Sequence, residues 1–191
     1  MDIIVKYIDE LLEKSTPEAP MWNIEKIRQG LKSNWNYIDG VMIKAVLQMY
    51  DVTKDEKYLK FADNFIDYRV HEDGTIDGYN IGEKNIDNVN AGKTLFELYD
   101  LTGKEKYRKA IDLVYSQIEI MPRCNNEARS FWHKDIYPNQ VWLDGMYMGQ
   151  PFYLEYETKF NNRKNYPDIF AQFKYCLLYT SPSPRDMRRS R

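Results

Sequence analysis

Apolar residues recur at helical spacing from the start of the chain. Ile3, Ile4, Tyr7, Ile8, Leu11 and Leu12 fall on one face of a helix expected over residues 2–14, and Pro17 and Pro20 end it. Trp22 to Leu31 reads as a short helix or an irregular lead-in. Beyond it a longer period emerges. Tyr50-Asp-Val-Thr-Lys-Asp-Glu-Lys-Tyr58 recurs as Tyr99-Asp-Leu-Thr-Gly-Lys-Glu-Lys-Tyr107. Helical patterns flank each copy, over 36–51 and 54–69 in the first and over 86–100 and 104–120 in the second. Thr53 to Glu56 and Thr102 to Glu105 have the spacing of capping boxes, so the second helix should start directly after a tight turn. Each unit is then a helical hairpin. A third copy opens near Val141, reaches Tyr156, and continues into a helix starting near Pro167-Asp168.

The connections differ in kind. Turns within a hairpin are short, whereas Val70 to Asn85 and Met121 to Gln140 are long and irregular. Long loops in compact domains usually carry function. Aligning Tyr99 with Tyr156 sets Asp87 opposite Asp144, so both acids open the first helix of successive hairpins and face the same end. That rim is the expected site. An α-solenoid also repeats hairpins, but with shorter periods and short loops at both ends. An all-α closed toroid fits better.

Composition narrows the chemistry. A hydrophobic content of 43% in 191 residues suits one globular domain, and a formal charge of −2 without a basic stripe gives no nucleic-acid signal. The acidic start lacks the basic and apolar regions of a signal peptide, and no stretch is apolar enough to span a membrane. A cytoplasmic location is the default expectation. The 16 Tyr and 4 Trp suit either sugar stacking or a tyrosine-rich helical core. With two distant histidines and no acid cluster at ligand spacing, no metal site is expected. Phosphate-binding glycine loops and Ser-His patterns are missing from the sequence as well.

Asn139 to Pro151 sets one carboxylate, Asp144, among Trp142, Met146 and Met148. On a helix Asp144, Tyr147, Met148 and Pro151 share a face, and Gly145 and Gly149 stack one turn apart, open to a backbone or ligand. An enclosed acid loses hydration and holds its proton, although an acid in a helix's first turn is also favoured by the macrodipole. Asn85-Ile-Asp-Asn-Val-Asn90 crowds polar groups into a helix start, and capping explains only some of them. Asp87 and Asn90 share a face there. Ser130-Phe-Trp-His-Lys134 offers Trp132 and His133 as a sugar platform, although a lone histidine is more often structural. Tyr37 should reach the same rim. Asp39 is one position out of step with Asp87 and reads as a cap or supporting group.

Trp35-Asn-Tyr-Ile-Asp-Gly40, Asn85-Ile-Asp-Asn88, Phe131-Trp-His-Lys134, Trp142-Leu-Asp-Gly145 and Gln150-Pro-Phe152 together closely resemble the unsaturated rhamnogalacturonyl hydrolases, glycoside hydrolase family 105, with family 88 as near relatives. The resemblance runs over residues 1–175. It implies an (α/α)6 toroid of about twice this length, of which only the first half would be present. It also implies removal of a 4,5-unsaturated galacturonate from small pectin-derived disaccharides, without a cofactor. The acid matching Asp144 would protonate C4, and the acid matching Asp87 would bind sugar hydroxyls and raise the pKa of Asp144. Tyr37, His133, Trp142 and Met148 match substrate-contacting positions; Asn90 and Trp132 join them as candidates. Alternatives are a glucuronyl hydrolase acting on glycosaminoglycan-type disaccharides and a non-catalytic carbohydrate-binding module. Nothing in the sequence defines an oligomeric state.

Cys176-Leu-Leu-Tyr-Thr-Ser-Pro-Ser-Pro-Arg-Asp186 breaks the helical pattern and resembles the translation of a transposase-type sequencing adapter. Residues 176–191 are therefore expected to be a non-native tail. Without its four Arg and one Asp, the formal charge goes from −2 to −5, and Cys124 is the one remaining cysteine.

Overall fold

The computed structural model of the chain describes residues 2–125 and 127–176. Within them lie eight α-helices, three 3₁₀ segments and no strand. The helices are α1 (Asp2–Glu13), α2 (Ile24–Arg28), α3 (Tyr37–Thr53), α4 (Glu56–Asp67), α5 (Lys93–Thr102), α6 (Glu105–Ile120), α7 (Leu143–Lys159) and α8 (Tyr166–Tyr175). Three antiparallel hairpins follow in order: α3/α4, α5/α6 and α7/α8. This is the all-α, repeated-hairpin architecture of an (α/α) toroid. No helix of the described residues is long and apolar enough to cross a membrane.

The repeated strings make repeated bonds. Tyr50 and Tyr99 each donate to the glutamate six residues on, Glu56 at 3.3 Å and Glu105 at 3.4 Å. Tyr58 donates to Asp9 of α1 at 2.9 Å, as Tyr107 donates to Asp63 of α4 at 2.6 Å. Thus α1 stands beside α4 as α4 stands beside α6, and these form one layer. The other layer holds the first helices of the hairpins, where the 3₁₀ segment Ile86–Gly92 packs between α3 and α7. Ile43, Leu47, Phe65, Leu95, Phe96, Ile111 and Phe152 fill the space between the layers. Gly92 allows that approach, since a Cβ there would lie 3.0 Å from both Phe152 and Val114.

Several expectations need correcting. The two capping boxes do not form. Thr53 and Thr102 instead close the preceding helices by donating to Met49 O at 2.7 Å and Leu98 O at 2.6 Å. Asp55 caps α4 by accepting from Lys57 N at 3.1 Å. The turns are made by left-handed residues, Lys54 at φ 58° and Gly103 at φ 67°; glycine takes that conformation without steric penalty. The helix expected over 86–100 starts as 3₁₀ and becomes α only at Lys93. In α1, Ile3, Ile4 and Tyr7 are exposed, and only Leu12 of the expected apolar face is fully buried. Cys176, assigned to the tail, is buried at 1% exposure. The adapter reading of the remaining tail concerns residues 177–191, outside the described ones.

Candidate active site

Two acids expected at one rim do meet. An oxygen of Asp87, a ring nitrogen of His133 and an oxygen of Asp144 lie within 4.8 Å of one another. The period of the repeat puts both acids at helix starts. What closes the gap is the second long loop, which crosses back over the first hairpin boundary. Asn85 and Lys134 pair as an isolated antiparallel bridge, with Ile86 N donating to His133 O at 3.0 Å. That single bridge delivers His133 and Lys134 onto Asp87.

The carboxylates have different surroundings. Asp87 is buried, and Lys134 Nζ contacts its Oδ2 at 2.8 Å. His133 Nε2 lies 3.3 Å from Oδ1, too poorly aligned to count as a hydrogen bond, so Oδ1 stays without a bonded partner. Burial alone would push the Asp87 carboxyl up, but contacts with His133 and Lys134 outweigh it and hold the group below the usual carboxylate range. Asp87 is therefore ionised. Asp144 is exposed, against the expectation of an acid enclosed by Trp142, Met146 and Met148. The helix turns Met146 and Met148 inward while Trp142 and Leu143 face out, at 40% and 59% exposure. Met148 accordingly departs from the face it was expected to share with Asp144, Tyr147 and Pro151, all exposed.

The ionised Asp87 fixes the direction of its pH linkage. Its folded pKa lies below the unfolded value, so its stabilisation is present above about pH 4 and is lost as pH falls through the lower folded value. Asp87→Asn should flatten the acid limb of stability by at most one proton. Urea melts between about pH 2 and 5 check this, and an unchanged slope would contradict it.

Gly145 and Gly149 admit protein rather than ligand. A Cβ at Gly145 would lie 2.9 Å from His133 Nδ1, and one at Gly149 would lie 2.6 Å from Ile86 Cδ1. Trp142 stacks with His133 (centroids 4.2 Å apart, 13° between planes) and with Tyr137 (5.3 Å, 19°). It thus joins the loop to α7 as well as bordering the rim. A cleft of about 750 Å³ beside it is lined by residues that include Asn139, Gln140 and Tyr175 but neither acid.

The remaining candidates are spread more widely. Tyr37 is 42% exposed at the start of α3. Asn90 is fully buried, donates to Tyr37 O at 2.9 Å and ties α3 to the Asp87 segment. Trp132 is partly buried within its loop, and its Nε1 is buried without a bonded partner. Asp39 is a supporting group. It is buried, accepts from Trp22 Nε1 at 2.8 Å and from Asn36 Nδ2 at 3.0 Å, while Asn36 caps its backbone N–H. Burial raises its pKa despite those bonds. Sequence reasoning missed Lys134 as the partner of Asp87, although it directly follows His133 in a motif already singled out.

The Asp87, His133 and Asp144 atoms are close enough to hold a cation, a clustering invisible in their sequence spacing. Lys134 already supplies a positive charge in contact with Asp87, so the donor set is not a vacant anionic cage.

Residues 7–182 match the family model described as Glycosyl Hydrolase Family 88. The chain belongs to that family. It is also similar to a solved glycoside hydrolase of family 105 from C. acetobutylicum ATCC 824, at 44% identity and a TM-score of 0.71. That alignment covers 78% of this chain and 41% of the solved one, so the chain spans about two fifths of that structure's length. The family 88 match ends inside the stretch read as a tail.

Proposed function

We propose that this family 88 chain acts in removing 4,5-unsaturated galacturonate from the non-reducing end of rhamnogalacturonan-derived disaccharides, with the cytoplasm as its compartment. The observation that carries this reading is the pairing of one pinned, ionised acid with one open acid at the same rim. In this reading residues 1–175 form half of a six-hairpin ring.

The chemistry follows from that asymmetry. Asp144, free of ion pairs among the described contacts, donates a proton to C4 of the vinyl ether. The ring oxygen shares the positive charge that develops at C5. Water then adds at C5 and returns its proton to the Asp144 carboxylate, and the hemiketal opens to release the neighbouring sugar. Asp87 accepts from sugar hydroxyls, since an ionised carboxylate is an acceptor only. An ordinary retaining glycosidase needs its second acid free as a nucleophile, about 5–5.5 Å from the first. Such an enzyme would leave the double bond in place, so the fate of that bond separates it from hydration. Tyr37 and Trp142 are read as sugar contacts, whereas His133, expected in the same role, has a side chain only 1% exposed and instead backs Trp142 and Asp87.

Hydration predicts two signals. The ultraviolet absorbance of the conjugated double bond disappears as product forms, and in heavy water deuterium enters at C4. Product that keeps the chromophore and carries no deuterium would refute the mechanism. The family 88 match keeps a second substrate in view, a glucuronyl disaccharide of glycosaminoglycan type. Relative kcat/KM on the two disaccharides separates them.

A further inference from the structure

Helix α7 carries a proline in its interior, Pro151. Proline has no N–H, so the carbonyl four residues back, that of Tyr147, loses its helical donor. An orphaned carbonyl must find another partner or remain unpaired. Here the partner comes from a different helix. Lys93 Nζ donates to Tyr147 O at 3.1 Å and also sits over the Tyr147 ring, 3.9 Å from its centroid.

The location gives this bond its meaning. Tyr147 lies three residues after Asp144, in the adjoining turn of α7. Lys93 is the first residue of α5, directly after the 3₁₀ segment that bears Asp87. The lysine therefore joins the two acid-bearing elements near the ends where the acids lie. Among the described residues it makes no ion pair, and the nearby Glu97 is engaged with the neighbouring Lys44. A half-buried ammonium beside another cation needs a reason to be there, and the freed carbonyl provides one. Gly149, in the same stretch, lets α7 lie close against Ile86 of the Asp87 segment.

We infer that Lys93 is a positioning residue: it replaces the helical donor removed by Pro151, and so holds the first turns of α7, and with them Asp144, against the Asp87 segment. The inference rests on the hydrolase reading for its catalytic consequence but not for the bond itself. Pro151 and Lys93 then work as a unit, the one opening the helix and the other closing it from outside.

A double-mutant cycle in the full-length protein, with its ring complete, tests this with Lys93→Met, Pro151→Ala and both together. Pro151→Ala restores the backbone N–H, so the Tyr147 carbonyl keeps a partner when the lysine goes. The Tm change caused by Lys93→Met should be more favourable in the Pro151→Ala background by about 3–6 °C. Replacing a half-buried ammonium also removes its desolvation penalty, so the difference between backgrounds is decisive, not the Tm of the single variant. On the unsaturated disaccharide, Lys93→Met should lower kcat about tenfold or more with KM nearly unchanged, and Pro151→Ala should restore much of it. Additive Tm changes would overturn the pairing. Coupled Tm values with an unaltered kcat would overturn the positioning role. The kcat arm uses the protein with its ring complete; absence of turnover there would remove the hydrolase reading, and the melting cycle would still decide the pairing by itself.

Discussion

In the protein with its six-hairpin ring complete, Asp144→Asn is expected to abolish nearly all turnover, lowering kcat by about 10²–10⁴, the usual contribution of a general acid–base group. The substitution keeps the shape of the side chain and removes only its proton chemistry. Asp144 is exposed and makes no ion pair among the described contacts, so its loss should leave folding intact. Thermal melts of the variant should superimpose on the parent. KM should change little, because the sugar contacts are assigned to other groups. A carbohydrate-binding module would respond differently, keeping its affinity and having no turnover to lose. An Asp144→Asn enzyme retaining a tenth or more of parental kcat would rule Asp144 out as the proton donor.

Gly40→Ala is expected to be strongly damaging to the fold. A Cβ there would lie 2.5 Å from Ala91 Cα, 2.7 Å from Ala91 N and 2.8 Å from Asn90 Nδ2. Two of those atoms are backbone of the buried 3₁₀ segment, and backbone cannot rotate away. Overpacking of this kind costs about 1–3 kcal/mol or more. The better helix propensity of alanine offsets about 1 kcal/mol of it. With backbone atoms this close the clash belongs at the upper end of that range, so about 2 kcal/mol remains and a net Tm loss of about 4–8 °C should follow, given about 2–4 °C per kcal/mol at this chain length. Activity should fall too, because the displaced segment bears Asp87 and its Asn90 bond to Tyr37 O would be strained. Gly149→Ala is the comparison. It meets only the side chain of Ile86, which can shift, so its effect should be smaller. Equal losses in the two variants would contradict the distinction between rigid backbone and movable side chain.

The hairpins could be read from the sequence because their information is local and repeated. The strings Tyr50–Tyr58 and Tyr99–Tyr107 each carry a turn, the tyrosine–glutamate bond across it and the tyrosine that reaches the neighbouring helix. Finding the period was enough to align Asp87 with Asp144, since helices of one layer start at one end. The sequence could not say which acid would be buried, because that depends on where an aperiodic loop runs. The Asn85–Lys134 bridge decides it, placing Lys134 on Asp87 and leaving Asp144 open. Burial in α1 was likewise undetermined: an apolar stripe says which face can pack, but the neighbour must exist for it to do so, and Ile3, Ile4 and Tyr7 have none among the described residues. The proline of α7 was visible in the sequence, but its compensation was not. A freed carbonyl must find a donor, yet only the packing of α5 against α7 shows that Lys93 provides it.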